Sequence, residues 1–160
     1  MKTLARIRQQ LDRIRGLAAT PQLFDASPGV SNWCIGEHLD HIVKVSSSVV
    51  GRVRETNPPV EKRGISLIGR AILTLGWIPR GRGRSPSRLV GTRVPAADLE
   101  ASLAKLESAV AGIEPAMIAL KSPTVPHPVF RGLTPAQALR FVEIHNAHHL
   151  KIVDEILRRR

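Results

Sequence analysis

The chain is short of nearly everything that would let a small protein cross-link itself or stack on flat ligands. Cys34 is the single cysteine among 160 residues, which excludes an internal disulfide framework and fits a reducing compartment. There is no tyrosine, and two tryptophans with three phenylalanines leave little for base stacking. Acidic residues are scarce: 13 Asp and Glu face 24 Lys and Arg, a formal charge of +11. Long apolar runs are missing too. The longest, around Ile65 to Ile78, carries Arg70 and falls short of the roughly 18 to 20 residues a membrane span needs. Met1-Lys2-Thr3-Leu4 leads directly into a charged amphipathic pattern, without the apolar block of a signal peptide. These absences predict a soluble, cytoplasmic protein with no membrane partner.

What is present points to a packed helical domain. Hydrophobic residues make up 42% of the chain, enough for one domain over 1–160 with a core of its own. A first helix is predicted over about Thr3 to Leu17, with Leu4, Ile7, Leu11 and Ile14 as its apolar stripe. A second starts near Ser31-Asn32-Trp33, with Ser31 as cap, and runs to about Arg54, where Asn57-Pro58-Pro59 stops it. Its stripe is Ile35, Leu39, Ile42, Val49 and Val53. An accessory helix is predicted within Ile65 to Trp77. Another long helix begins near Pro95, carries Leu99, Leu103, Leu106, Val110 and Ile113, and ends or kinks at Pro115. Pro123, Pro126 and Pro128 hold the next connection extended, and no segment reads as a strand.

The last helix announces itself most clearly. Thr134 can cap it, Pro135 suits the first helical position, and Gln137 completes a capping box. Ala138, Val142, His145, His149, Ile152 and Ile156 then recur at three- and four-residue steps. The sum is an all-α, four-helix bundle, and loops of twenty or more residues predict at least one crossover connection.

His145 and His149 fall in the middle of that stripe, about 6 Å apart along the helix axis. Two imidazoles aimed into a core invite a shared divalent ion, and a third ligand must come from elsewhere. The second helix offers His38 and His41, and helical-wheel position slightly favours His38 as the more buried. Zinc, nickel, iron or manganese suits such a nitrogen-rich shell. The alternative is a set of hydrogen-bonded core histidines. His148 lies on the flank of the last helix, in a supporting or exposed position.

The positive charge is concentrated between Arg52 and Arg93, where ten Lys and Arg meet only Glu55 and Glu61. Within it, Pro79-Arg80-Gly81-Arg82-Gly83-Arg84-Ser85-Pro86 reads as a low-complexity loop, part of an Arg/Gly-rich stretch over about 79–94. Such a loop can meet nucleic acid, an anionic metabolite or only water. Trp33 and Trp77 are expected to pack, and Cys34 to be an inert buried thiol.

Trp33-Cys34-Ile35-Gly36-Glu37-His38-Leu39-Asp40-His41-Ile42 resembles the second-helix signature of the DinB/YfiT-like superfamily, a tryptophan followed by Glu-x-Leu-x-His-hydrophobic. Phe141 to Leu150, with His145-x-x-x-His149, resembles its last-helix signature. His127-Pro128-Val129-Phe130-Arg131-Gly132-Leu133-Thr134 is similar to a branch of that superfamily without an assigned function. The resemblance implies a four-helix bundle with a crossover and one divalent ion, zinc or nickel foremost. It also implies His41, His145 and His149 as the ligands. Characterised relatives include metal-dependent transferases and isomerases that use small thiols such as bacillithiol, mycothiol or glutathione, and dimers are common among them.

Three functions follow as expectations. The first is a metal-dependent transferase in which a thiol is activated at the three-histidine site, with Glu37 as a supporting acceptor or proton relay one turn before His41. The second is a nucleic-acid or anionic-partner module that works through its arginines. The third is a non-catalytic, dimeric metal-binding bundle.

Overall fold

The computed structural model describes residues 2–55, 64–81 and 85–159. Its long helices are α1 (Lys2–Ala18), α2 (Ile35–Arg54), α4 (Ala96–Ala111) and α6 (Pro135–Arg158). Between them lie the accessory α3 (Leu67–Leu75), a 3₁₀ turn (Ser87–Leu89), a short α5 (Pro115–Ala119) and two strands, β1 (Val125–His127) and β2 (Arg131–Leu133). Each long helix packs on two others, giving the cyclic order α1–α6–α2–α4. Consecutive long helices α1 and α2 therefore sit diagonally, as do α4 and α6, so both of these connections cross the bundle.

The apolar stripes meet as their spacing predicts. Ile7, Leu11 and Ile14 of α1, Leu39 and Ile42 of α2, Leu99, Leu103, Leu106 and Val110 of α4, and Ala138, Val142 and Ile156 of α6 are all buried. Complete burial of a Leu or Ile side chain stabilises by about 1.5–3 kcal/mol, so these positions supply most of the drive to form the bundle. Besides its histidines, the seam between α2 and α6 holds a buried polar pair: the Ser46 hydroxyl donates to Asn146 Oδ1 at 3.0 Å, with both residues at 0% exposure. A buried hydrogen bond of this kind forms in one axial alignment of the two helices and is lost in others.

Helix ends follow local chemistry. Thr134 Oγ1 accepts from Gln137 N and Gln137 Oε1 accepts from Thr134 N, which is the predicted capping box, with Pro135 at the first helical position. The start of α2 is three to four residues later than expected. Cys34 is the N-cap, because Glu37 Oε2 accepts from its N–H at 2.7 Å. Ser31 instead accepts from Trp33 N and lies outside the helix. α2 ends at Arg54, while Asn57-Pro58-Pro59, expected to stop it, lies outside the described residues.

Two further expectations are corrected. The proline-rich connection contains a β-hairpin, with Val125 opposite Leu133 and His127 opposite Arg131. Pro126 is tolerated because a strand in a two-stranded ribbon needs no donor on its outer edge. The turn is held from inside: His127 Nδ1 accepts from Val129 N and Phe130 N at 3.2 and 3.1 Å. The second correction is Trp77, which is 58% exposed and does not pack in the core. It continues an apolar surface from α3, where Leu67, Ile68 and Leu75 are also exposed. No helix among the described residues is long and apolar enough to cross a membrane.

Candidate metal centre

Helix geometry alone places His145 and His149 on one face of α6, a turn apart. The packing of α6 on α2 brings that face against His38 and His41. One ring nitrogen from each of His41, His145 and His149 lies within 4.8 Å of the others. His41 Nε2 and His145 Nε2 face each other at 3.1 Å. Two nitrogens bound to one zinc at about 2.0–2.1 Å stand roughly 2.9 Å apart at a right angle and roughly 3.3 Å apart at the tetrahedral angle. The observed separation lies between these, so the pair fits a shared ion without rearrangement.

The orientation of His41 comes from outside the bundle. Its Nδ1 donates to the Leu89 carbonyl at 2.5 Å, which leaves the Nε2 lone pair free to face the other rings. Leu89 belongs to a strap, residues 87–93, laid across α2. Lys44 Nζ donates to the Val90 carbonyl at 3.2 Å. Thr92 N and Oγ1 both donate to Asp40 Oδ2, at 2.8 and 3.0 Å, and Lys44 pairs with the same carboxylate at 2.6 Å. Gly91 is required at the centre of the strap, since a Cβ there would overlap the Glu37 carbonyl oxygen. The last part of the Arg/Gly-rich stretch is thus a clamp on α2. Arg82 and Arg84, at its heart, lie outside the described residues.

His38 is as buried as His41, at 2% against 4% exposure, so burial does not choose between them. Direction does. His38 Nδ1 faces His149 Nδ1 at 3.0 Å, and its Nε2 meets the Ser31 hydroxyl at 2.9 Å. It stands behind His149, outside the three-nitrogen cluster. Trp33 lies against this group, its ring centroid 5.1 Å from His41, 5.3 Å from His38 and 6.3 Å from His149, the last nearly parallel. A half-buried indole in that position keeps water from the imidazoles.

The electrostatics favour neutral, metal-ready rings. Burial drives His145 well below the ordinary imidazole value, and the neighbouring His41 adds to the effect. Burial likewise lowers His149, with His145 and His41 acting in the same direction, and lowers His41. His38 falls to about 4, chiefly through burial. A neutral imidazole is the form that binds a metal, so no proton has to be displaced from these rings near neutrality. Burial also lowers His148, and the Arg80 guanidinium contributes. Its ring lies 5.0 Å from that of His149, on the half-exposed flank of α6. His127 is held in the hairpin, stacked on Phe130 and edge-on to Phe141.

Glu37 is engaged at the helix start. Its carboxylate accepts from Cys34 N, and Arg93 Nε stands 4.0 Å away. Cys34 is fully buried, and burial raises its thiol pKa, which suppresses the reactive thiolate.

Two features of the site have no side-chain signature. The Leu89 carbonyl is a backbone group forty-eight residues from the ring it orients. The His38–His149 contact joins residues on different helices, and only the His-x-x-His spacing at 38 and 41 hinted that both rings face inward.

The sequence pattern of the DinB superfamily matches the chain over residues 3–153. No curated protein and no solved structure matches it. With that match covering nearly its whole length, and with a helical bundle gathering three histidines at its centre, this chain belongs to the DinB superfamily.

Proposed function

We propose that this protein is a divalent-metal-dependent enzyme, with His41, His145 and His149 as the ligands and a small thiol of the bacillithiol, mycothiol or glutathione type as co-substrate of a transfer reaction. The observation that carries the reading is the facing pair of Nε2 atoms on His41 and His145, 3.1 Å apart and backed by the Leu89 carbonyl. Three neutral imidazoles leave a tetrahedral or octahedral ion with an open position, the arrangement of catalytic rather than purely structural sites. Zinc and nickel both suit the donor set. When bound, the ion supplies Lewis acidity that lowers the pKa of a thiol at that open position.

The chain's own residues have separate tasks in this reading. His41, Leu89 and the strap set the direction of one ligand. Trp33 shields the rings from water, which strengthens electrostatic interactions inside the site. Glu37 is the supporting carboxylate: it anchors the first turn of α2, and Arg93 stands beside it. The exposed apolar face of α3, with Trp77, serves as the surface of a homodimer. The nucleic-acid reading is less supported, because Arg80 is paired with Glu155 at 2.8 Å and Arg93 faces Glu37.

Elemental analysis of untagged protein tests the proposal. The wild type is expected to carry close to one equivalent of a divalent ion, and His145→Ala to lose it. Addition of the correct thiol to the loaded protein is expected to raise Tm, whereas a metal-free wild type or unchanged content in His145→Ala would refute the assignment.

A further inference from the structure

We propose that His38 is a positioning residue for His149, fixing through a chain of hydrogen bonds which ring nitrogen His149 presents to a metal ion. The inference rests on the reading that His41, His145 and His149 hold a divalent ion, and it concerns a residue outside that set.

Proton counting along the chain gives the argument. The Ser31 hydroxyl oxygen already accepts from Trp33 N at 3.1 Å, and His38 Nε2 lies 2.9 Å from the same oxygen. When His38 Nε2–H donates to Ser31, its Nδ1 is a bare acceptor. His149 Nδ1, 3.0 Å away, must then carry the proton, and its Nε2 is left with a free lone pair. When the chain runs the other way, Ser31 donates to His38, His38 Nδ1–H donates to His149, and the His149 proton sits on Nε2, where it blocks coordination. Both directions use the same heavy atoms. An ion bound through Nε2 selects the first direction. His38 therefore does for His149 what the Leu89 carbonyl does for His41, but with a group that can donate or accept.

Three substitutions separate this role from simple packing. The side-chain oxygen of Asn coincides with the Nδ1 position of a histidine, and the amide of Gln with its Nε2 position. His38→Asn keeps an acceptor facing His149 and is expected to retain the wild-type zinc affinity, measured by competition with a chromophoric chelator. His38→Gln keeps only the contact with Ser31, and His38→Leu keeps neither. Both are expected to bind zinc roughly 10- to 100-fold more weakly, with an altered visible spectrum for the cobalt(II) form. Circular dichroism establishes that each variant is folded. In zinc-loaded, ¹⁵N-labelled wild type, His149 is expected to be protonated at Nδ1 and metal-bound at Nε2. Wild-type affinity in His38→Leu, coordination of His149 through Nδ1, or His38 itself appearing as a ligand would each overturn the inference while leaving the metal centre standing. A wild type that binds no zinc would overturn both.

Discussion

Replacing Gly91 by alanine tests whether the strap across α2 governs the affinity of the proposed metal centre. The new Cβ overlaps the Glu37 carbonyl oxygen, which belongs to the helix backbone and cannot swing aside. The strap must lift instead. Its lifting removes the His41–Leu89 hydrogen bond, the two Thr92 hydrogen bonds to Asp40 and the Lys44 bond to the Val90 carbonyl. Asp40 keeps Lys44 as partner, so the carboxylate is not stranded. Hydrogen bonds to a charged group are worth about 1.5–3 kcal/mol each, and with Lys44 compensating we set the net destabilisation at about 2 kcal/mol. For a domain of this size that lowers Tm by roughly 4–8 °C. His41 freed from Leu89 is no longer held with Nε2 toward its partners, and loss of such an outer contact weakens metal binding about 10- to 100-fold, or roughly 1.4–2.8 kcal/mol. Calorimetric unfolding of the metal-free protein reads the first effect, and zinc titration against a competing chelator reads the second. Gly16→Ala is the control: nothing lies within 4 Å of a Cβ there, and the helix gains up to about 1 kcal/mol. A Gly91→Ala protein with wild-type Tm and wild-type zinc affinity would refute the account of the strap.

Two other outcomes are expected. Burial lowers His127 from 6.5 to about 4, and its Nδ1 accepts two backbone N–H groups, so folding keeps it neutral while the unfolded chain takes up a proton near 6.5. Its contribution is therefore complete above pH 6.5 and is lost as the pH falls toward about 4. The urea midpoint of the metal-free protein should fall through that window and fall less in His127→Asn; a larger fall in the variant would contradict the assignment. If α3 forms a homodimer surface, Leu67→Asp should yield monomers in sedimentation equilibrium with unchanged circular dichroism, and a wild type already monomeric at high concentration would dispose of that surface.

The bundle was legible because its signals are local. The Thr134-Pro135-Gln137 start of α6 is specified within four residues, and the stripes of α1, α2, α4 and α6 are long enough for their period to be read. His145 and His149 were legible for the same reason, since one turn of helix brings them together whatever the rest of the chain does. The choice between His38 and His41 was not, because both rings are buried and differ only in the direction they point across a helix pair. The hairpin at 125–133 escaped because three-residue strands are too short to show alternation, and its turn depends on one imidazole accepting two backbone donors. Ser31 resembled a cap by type, yet the reciprocal bond between Cys34 N and Glu37 moved the helix start past it. Trp77 looked like a core residue by type as well, but it follows Gly76, whose φ of 68° ends α3 and turns the chain outward.

The place of α6 in the bundle sets an order of events during synthesis. It packs on α1, α2, α3 and α5, and it is made after all of them. Without residues 135–158, α1 and α2 have α4 as their common long-helix partner, and the faces they turn toward α6 lack cover. Apolar surface left uncovered in this way favours self-association. His145 and His149 arrive on that same closing element. In the proposed metal centre the three imidazoles come together only once α6 has docked on α2, so capture of an ion there would report that this packing has formed.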